Sequence, residues 1–526
     1  MRGAAGVRRT FALAILCAAG SVLAAVPQVQ VDAGHVAGIS QGDVDTFLGI
    51  PFAAPPVGAL RWRAPQPARA WSGVRPATHY GHDCMQTPFP SDAAPLGVAP
   101  AEDCLYMNVW RPAGAKPGDH LPVLVWIYGG GSVNGGASPA VYSGAQFARH
   151  GVVFVSFNYR VGRFGFFAFP ELTRQDADHG LLANYGYMDA LAAMRWVRQN
   201  VGSFGGDPRQ VTIYGQSAGA ATVYMLMTSP LAEGLFARAI LQSGAPNDKP
   251  PFAAGSGNPL SIETAGVNFA KRWGIEGTDA AALKRLRALR PEQVADGLHI
   301  GTMADQASTY VGPVRDGKIL PDRLLADSFA TGKYAQVPLL VGSTAGDNHR
   351  LVANSKDEAW ALFGGAADRA RAAYAQDANG DLQVMVREIG RDRMYREPNR
   401  TLARRLAATG QPVFSYRFNY VVTPMRGEWL EGPLHATDIP FSMDTVRAKY
   451  GDQLAPADLA VANMMHRYWV NFVRSGDPNG PGLPEWPRYD PAADVLLDFA
   501  TDGIPRAVAD PRKARLDAHA AAAGRE

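Results

Sequence analysis

The sequence predicts an α/β fold in which a central, mostly parallel β-sheet carries helices on both faces. Strands covered on both sides are indicated by six apolar runs that lack the polar alternation of a half-exposed strand. These runs are Leu121–Tyr128, Val152–Phe157, Val211–Tyr214, Ala239–Leu241, Val337–Val341 and Val413–Phe418. Helical stretches such as Tyr187–Gln199 separate them, as parallel pairing requires. Ligands of such sheets bind beyond the carboxyl ends of the strands, so we expect the chemistry there.

Neither length nor composition divides the chain into separate domains. Its 526 residues are 47% hydrophobic and 19% charged, which is typical of a globular protein. Proline and glycine are spread through the chain, and no low-complexity run or internal repeat separates two halves. We therefore expect one domain over residues 25–526, decorated with helical insertions.

The first 24 residues predict a cleavable export signal. Arg2, Arg8 and Arg9 precede the apolar run Phe11–Ala19, and small residues around Val22–Ala24 suit cleavage near residue 24. The paired arginines also faintly resemble a twin-arginine signal, so the choice between the general and the twin-arginine export routes stays open. A secreted or periplasmic protein is expected.

The net charge argues against two classes of partner. Cleavage of the leader removes three arginines and so cancels the formal net charge of +3. The mature chain then has no basic surplus to favour nucleic acid or an anionic membrane, and no membrane anchor. We expect neither a metal nor an organic cofactor, and the sequence leaves the oligomeric state open.

Two cysteines remain after the leader is removed, namely Cys84 and Cys104. An even pair in an exported protein predicts a disulfide bond. The intervening segment Met85–Asp103 is rich in proline and cannot form a helix, so the bond would close an Ω-like loop.

The candidate nucleophile is Ser217. The strand Val211–Tyr214 runs into the motif Gly-x-Ser-x-Gly at Gly215–Gly219, and a helical run of small and apolar residues follows at Ala218–Met227. In a nucleophile elbow the serine occupies the strained tip between strand and helix, while the glycines permit close packing. Because five-residue matches also occur by chance, the motif needs partners.

An oxyanion hole is predicted from the glycines that follow the first long apolar run. Gly129–Gly131 can turn backbone N–H groups inward, which a residue with a Cβ atom would hinder. Together with Ala218 of the elbow, Gly130 and Gly131 could donate hydrogen bonds to the charge of a tetrahedral intermediate.

A serine nucleophile needs a base, and the base needs an orienting acid. His435 lies in a loop after the last strongly apolar strand, and Asp347 follows the strand Val337–Val341. The order serine, aspartate, histidine is that of the α/β-hydrolases. Asp316 and Asp438 remain alternative candidates for the acid.

Several longer motifs make the chain resemble the type-B carboxylesterases, the cholinesterase-like branch of the α/β-hydrolases. The resemblance runs from about Gly34 to Tyr489. The motifs that carry it are Glu102–Asn108, Asn158–Gly165, Phe204–Pro208, Gly215–Ala220, Leu241–Gly244 and Asn471–Asn479.

The resemblance implies a substrate gorge, with Ser217 as nucleophile, His435 as general base and acid, and Gly130, Gly131 and Ala218 as oxyanion donors. It also implies the Cys84–Cys104 disulfide and places Ser243 behind the acid. The expected activity is that of a serine carboxylesterase, which cleaves a small-molecule carboxylic ester through an acyl-enzyme. Amide or carbamate hydrolysis by the same triad is the nearer alternative, and a non-catalytic binding protein on this scaffold is the more distant one.

The chain departs from the family pattern in four places. Asp347 stands where most relatives have glutamate, and Ser132 replaces an aromatic residue, which enlarges the acyl side of the pocket. A second disulfide is missing, since Gly274–Arg287 holds no cysteine. Met85–Asp103 lacks the tryptophan on which cholinesterases stack a quaternary ammonium, so acetylcholine hydrolysis is not expected.

Overall fold

The computed structural model describes residues 1, 26–244, 250, 252–253, 260–322, 328–329, 331–348, 351–378 and 380–524. The export signal expected at residues 1–24 lies, apart from Met1, outside the described residues. Strands in the described part of the chain are β1 (Gln28–Val31), β2 (Gly34–Ala37), β3 (Ile39–Gln41), β4 (Val44–Pro51), β5 (Val74–Pro76), β6 (Tyr106–Pro112), β7 (Leu121–Ile127), β8 (Val153–Phe157), β9 (Phe166–Phe167), β10 (Ala183–Asn184), β11 (Gly206–Gln216), β12 (Arg238–Gln242), β13 (Leu339–Thr344), β14 (Val413–Phe418), β15 (Val495–Phe499) and β16 (Pro505–Ala509).

Eleven of these strands form one sheet, in the order β16-β15-β14-β13-β12-β11-β7-β8-β6-β4-β3. The seven central strands, β15, β14, β13, β12, β11, β7 and β8 in sheet order, pair with one another in parallel. This confirms the predicted mostly parallel sheet. Both edges are antiparallel, through β16 on one side and through β6, β4 and β3 on the other. The six predicted apolar runs are β7, β8, β11, β12, β13 and β14.

Helices cover both faces of the sheet. The α-helices are Ala145–Arg149, Gly162–Gly165, Pro170–Gln175, Tyr185–Asn200, Ala218–Thr228, Ile262–Arg272, Ala280–Arg287, Pro291–Ala295, Lys356–Ala361, Ala367–Ala373, Ala375–Ala378, Leu382–Arg391, Glu397–Ala408, Ile439–Ser442, Val446–Tyr450, Pro456–Ser475 and Lys513–Ala522. A π-helical turn, Asp392–Arg396, joins two of them. The 3₁₀ turns are Gly58–Leu60, Ala140–Tyr142, Val201–Phe204, Pro230–Ala232, Gly364–Ala366, Thr423–Met425 and Gly451–Gln453. No helix in the described ranges is long and apolar enough to cross a membrane.

The main core lies on the two faces of the sheet, where the central residues of β7, β8 and β11 are fully buried. A smaller apolar cluster lies under the inserted helices and includes Trp360, Tyr374, Met385 and Ile389. This second cluster fixes the helix Leu382–Arg391, which reaches one of the candidate catalytic residues described below.

Cys84 and Cys104 are joined by a disulfide bond, as predicted. The segment between them contains neither helix nor strand, and its Gln86 side chain bonds both the N–H of Gly135 (2.9 Å) and the Gly135 carbonyl (2.7 Å). The disulfide-closed loop is thereby attached to the segment that follows the three glycines.

Loss of the disulfide should weaken both the fold and substrate binding. The bond closes a loop with a sequence separation of 20, for which the chain-entropy model gives about 3 kcal/mol of stabilisation. We expect Cys84→Ser to lower the free energy of unfolding by about 2–4 kcal/mol and to raise KM, since Gln86 would hold Gly135 less firmly. Denaturant unfolding and ester kinetics measure the two effects. Two free thiols in the oxidised native protein would contradict this prediction.

Candidate active site

Ser217 occupies the tight turn between β11 and the helix Ala218–Thr228. Its φ of 55° and ψ of −121° lie outside the regions that ordinary residues prefer. The helix also packs closely on the neighbouring strand β7, because a Cβ atom on Gly219 would lie 2.0 Å from the Ile127 carbonyl oxygen. The Ser217 N–H donates to the Gln242 carbonyl of β12 at 2.9 Å. This strained turn has the geometry of a nucleophile elbow.

Asp347 and His435 are brought together at the same edge of the sheet. Asp347 follows β13 and is fully buried, while His435 lies in the loop after β14. The two loops are joined by a hydrogen bond from the Gly346 N–H to the Pro433 carbonyl (3.0 Å). Asp347 Oδ1 lies 2.6 Å from His435 Nδ1, so the shorter aspartate side chain reaches the ring without a lengthened contact.

Ser243 lies behind the carboxylate, as the resemblance implies. Its hydroxyl donates to Asp347 Oδ2 at 3.0 Å, so each carboxylate oxygen has a partner. A fully paired carboxylate stays oriented toward the ring, which fixes the tautomer that carries its proton on Nδ1.

The second ring nitrogen of His435 contacts the side chain of Gln216, the residue before the nucleophile. Gln216 Nε2 lies 3.2 Å from His435 Nε2, and no hydrogen bond joins Ser217 Oγ to this ring within the described residues. With Nδ1–H directed at Asp347, Nε2 is the acceptor of this contact. An imidazole with its lone pair on Nε2 is the tautomer that a general base requires, once the Gln216 contact is given up.

The glycines after β7 leave N–H groups free. Gly130 and Gly131 have φ of 106° and 65°, and the Gly130 carbonyl accepts the N–H groups of Val133 and Asn134. Within the described ranges the N–H groups of Gly130 and Gly131 have no acceptor. Ala218 begins a helix, so its N–H also lacks an intrahelical partner. These donors can therefore serve an anionic oxygen near the elbow.

The two alternative acids, Asp316 and Asp438, make hydrogen bonds to groups other than His435. Asp316 accepts hydrogen bonds from the Asn184 side chain and from the backbone N–H groups of residues 318–320, as a carboxylate bracing a turn does. Asp438 Oδ2 accepts from Tyr416 Oη (2.9 Å) and Gln242 Nε2 (3.2 Å). Of the three aspartates, Asp347 alone makes a hydrogen bond to His435 among the described contacts.

Apart from Ser243, sequence reasoning missed the residues that support the acid and the base. Arg391 donates from Nε to the Asp347 carbonyl (2.7 Å) and from Nη2 to Glu431 (3.0 Å), so it joins the acid loop to the histidine loop. From the π-helical turn, Arg396 donates to the Ala345 carbonyl (2.6 Å), and the Tyr395 ring stacks on His435 with 5.5 Å between centroids. π-Helical turns are frequent at functional sites, but no sequence motif marks this one.

Asp438 is a buried carboxyl group close to the candidate acid. It is fully buried, and its Oδ1 has no hydrogen-bond partner within the described part of the chain. Burial, together with the neighbouring Asp347 carboxylate, raises the pKa of Asp438 to about 7. The Tyr416 hydrogen bond and His435 act in the opposite direction and lessen this rise.

The raised pKa predicts how stability depends on pH. Below about pH 4 the Asp438 carboxyl is protonated in both the folded and the unfolded chain, so it does not affect stability. Between about pH 4 and 7 it ionises in the unfolded chain but stays protonated in the fold, so the free energy of unfolding falls as the pH rises. Above about pH 7 it is ionised in both states, and the loss of stability stays constant. A gap of about three pKa units corresponds to about 4 kcal/mol. We expect Asp438→Asn to remove this loss. Urea unfolding of both proteins at pH 4.5, 6 and 8 measures it, and a stability difference that is constant over this range would contradict the prediction.

The described residues contain no group of three or more histidine, cysteine, aspartate or glutamate side chains placed to hold a metal ion. The groups that surround Ser217 are instead a hydrogen-bonded histidine–aspartate pair and free backbone donors. Such an arrangement can activate a hydroxyl group and stabilise an oxyanion.

Comparison with known proteins places the chain in a family. The model of the carboxylesterase family matches residues 25–516. The chain is 34% identical to fumonisin B1 esterase of Sphingopyxis macrogoltabida over 94% of its own length and 91% of that protein. It is 33% identical to cocaine esterase of Homo sapiens (87% and 83% covered) and 31% identical to carboxylesterase 1E of Mus musculus (87% and 86%). The resemblance drawn from the motifs is thus confirmed: the chain belongs to the carboxylesterase family and is a carboxylic ester hydrolase.

Proposed function

We propose that this enzyme hydrolyses small-molecule carboxylic esters through an acyl-enzyme on Ser217, with His435 as general base and acid and Asp347 as the orienting acid. The observation that carries the proposal is the contact between Asp347 Oδ1 and His435 Nδ1 at the sheet edge that also presents the strained Ser217. Ser243 donates to the carboxylate from behind, and Arg391 holds the loop by donating to the Asp347 backbone carbonyl. The three triad positions hold competent side chains, which disfavours a non-catalytic binding protein.

In the acylation step His435 Nε2 accepts the proton of the Ser217 hydroxyl as Oγ attacks the ester carbonyl. For this the ring exchanges its Gln216 contact for Ser217, a tightening that is common when substrate binds. The N–H groups of Gly130, Gly131 and Ala218 stabilise the tetrahedral oxyanion. The imidazolium then returns the proton to the leaving alcohol, and water, activated by the same ring, releases the acid.

We propose that the acyl side of the pocket is wide. Ser132, which follows the oxyanion glycines, is small, and its carbonyl accepts from Tyr310 Oη (3.2 Å) and the Gly162 N–H (2.8 Å). Ile300 adjoins this side, because its Cγ1 would lie 3.4 Å from a Cβ atom on Gly131. A small residue at position 132 beside the apolar Ile300 side chain favours bulky or long acyl groups over acetyl.

A panel of chromogenic esters of graded acyl length, assayed beside matching anilides, tests the proposal. We expect ester turnover that rises with acyl length and far slower anilide cleavage, because His435 must protonate a poorer leaving group. Faster cleavage of anilides would favour the amidase alternative, and no turnover of either class would contradict the proposal. We also propose an exported location, for which the N-terminal pattern and the disulfide are the support.

A further inference from the structure

Gln216, the residue before the candidate nucleophile, lies buried between the base and the glycines that follow β7. It is only 2% exposed, and its Nε2 lies 3.2 Å from His435 Nε2. Its Oε1 would lie 2.9 Å from a Cβ atom on Gly129, so the amide fills the space that a side chain at position 129 would need. The amide is therefore confined beside the ring nitrogen that must accept the serine proton.

The Gln216 amide and the Ser217 hydroxyl compete for one lone pair. The His435 ring donates its Nδ1–H to Asp347 Oδ1 at 2.6 Å, so its single acceptor is Nε2. A Gln216 N–H donates to this nitrogen, whereas no hydrogen bond joins Ser217 Oγ to the ring within the described residues. A lone pair that already accepts a hydrogen bond cannot take the serine proton. The enzyme with the ring on Gln216 is therefore an unreactive form.

Release from Gln216 leaves the other contacts of the ring in place. The Asp347 carboxylate stays oriented because Ser243 donates to its second oxygen. The Tyr395 ring stacks on the face of the imidazole with 5.5 Å between centroids, so a small movement of Nε2 in the plane of the ring keeps both partners. Because Gln216 and Ser217 are neighbours in the chain, such a movement carries Nε2 from one side chain to the other.

We propose that Gln216 is a positioning residue that holds the base away from Ser217 while the active site is empty. This inference rests on the proposed function, because it takes His435 as the base of Ser217. Acylation proceeds from the fraction of enzyme in which the ring has turned to the serine, so the Gln216 contact lowers reactivity by the strength of one hydrogen bond, about 2–10-fold. A proton on Nε2 would face the Gln216 N–H, so this contact and protonation of the ring exclude each other.

The titratable groups around the ring are the same in the wild type and in a variant at position 216. They are Asp347 at Nδ1, Asp438 close to that carboxylate, Tyr395 stacked on the ring, and Arg391, Arg396 and Glu431, which are bonded to or lie on the loops of the acid and the base. A shift of the pH profile on substitution of Gln216 alone therefore reports on the contact at Nε2.

The pH dependence of kcat/KM for a chromogenic ester tests the proposal on the full chain. Gln216→Met keeps the length of the side chain but removes its N–H groups. We expect the alkaline plateau to rise about 2–10-fold and the acidic limb to move upward by the logarithm of that factor, about 0.3–1 pH unit. Below the limb the rates should match the wild type, because there protonation of the ring, and not the Gln216 contact, limits the reactive fraction. Gln41→Met is the control, because Gln41 is exposed on the edge strand β3, five strands from β11.

Inactivation by an organophosphate separates this inference from the proposed function. The rate constant for labelling Ser217 should rise by the same factor in Gln216→Met, because this reaction starts from the free enzyme. Labelling of a different serine would overturn the proposed function, whereas unchanged or slower labelling of Ser217 with an unraised plateau would overturn the positioning role alone. If Gln216→Met does not fold, Gln216→Glu decides. A carboxylate at Nε2 should stabilise the protonated ring and move the acidic limb upward by about one pH unit or more, and an unmoved limb overturns the proposal.

Discussion

Replacement of Ser217 by alanine should reduce kcat for esters by about a millionfold while the protein stays folded. A serine triad acts as a unit, so loss of the nucleophile removes nearly all the catalysis that the other members provide. The fold should not suffer, because the contacts that shape this turn are backbone contacts, among them the Ser217 N–H to the Gln242 carbonyl. Steady-state kinetics on a chromogenic ester give the loss, and the thermal unfolding midpoint reports on the fold.

Two controls sharpen this result. Ser475→Ala removes a hydroxyl that bonds only backbone groups at the end of a helix, namely the carbonyls of Asn471 and Asp477 and the Asp477 N–H, and should leave kcat unchanged. An organophosphate should label Ser217 in the wild-type protein and nothing in Ser217→Ala. Labelling of another serine, or near-normal turnover by the variant, would refute the nucleophile assignment.

The elbow and the three glycines could be read from sequence because their conformations are encoded locally. Gly130 and Gly131 adopt positive φ, and Gly219 lies where a Cβ atom would collide with the Ile127 carbonyl. Such positions restrict the residue type directly, so a short motif predicts them. The parallel strands could also be predicted from the sequence, because burial on both faces removes the alternation of polar and apolar residues.

Strand β15 was not predicted from the apolar pattern. Its run Val495–Phe499 is interrupted by Asp498, so it lacks the uniform apolar character of the predicted strands. In the fold this carboxylate pairs with Arg417 of the neighbouring β14 at 2.7 Å. A charge that is neutralised across two strands cannot be recognised from either strand alone.

Apart from Ser243, the residues that support the acid and the base could not be predicted, for a related reason. Arg391 and Tyr395 lie more than forty positions after Asp347, and they reach the candidate site from a helix and a π-helical turn. Their roles depend on distances between segments that no local pattern records. The sequence left Asp316 and Asp438 open as acids for the same reason, since it gives the order of these carboxylates and not their separation from His435.

Replacement of Asp347 by asparagine should lower kcat by about 10⁴-fold with little change in KM. The imidazolium of His435 develops only in the transition state, so a carboxylate at Nδ1 stabilises that state more than bound substrate. An asparagine can also present its N–H₂ group to Nδ1 and so select the wrong tautomer. The magnitude is that of the analogous change in a serine protease, a known reference case. Ser243 and Arg391 should preserve the loop, so circular dichroism should be unaltered.

Three further variants separate the acid from its alternatives. Asp347→Glu should retain substantial activity, because glutamate keeps the carboxylate and is only one methylene longer, so the Nδ1 contact can be rebuilt. Asp316→Asn should mainly cost stability, since Asp316 accepts three backbone N–H groups of its own turn. Asp438→Asn should keep most of kcat, because its carboxylate contacts Tyr416 and Gln242 rather than the ring. If Asp347→Asn were active while Asp316→Asn or Asp438→Asn was inactive, the carboxylate that orients His435 in the transition state would have to be reassigned.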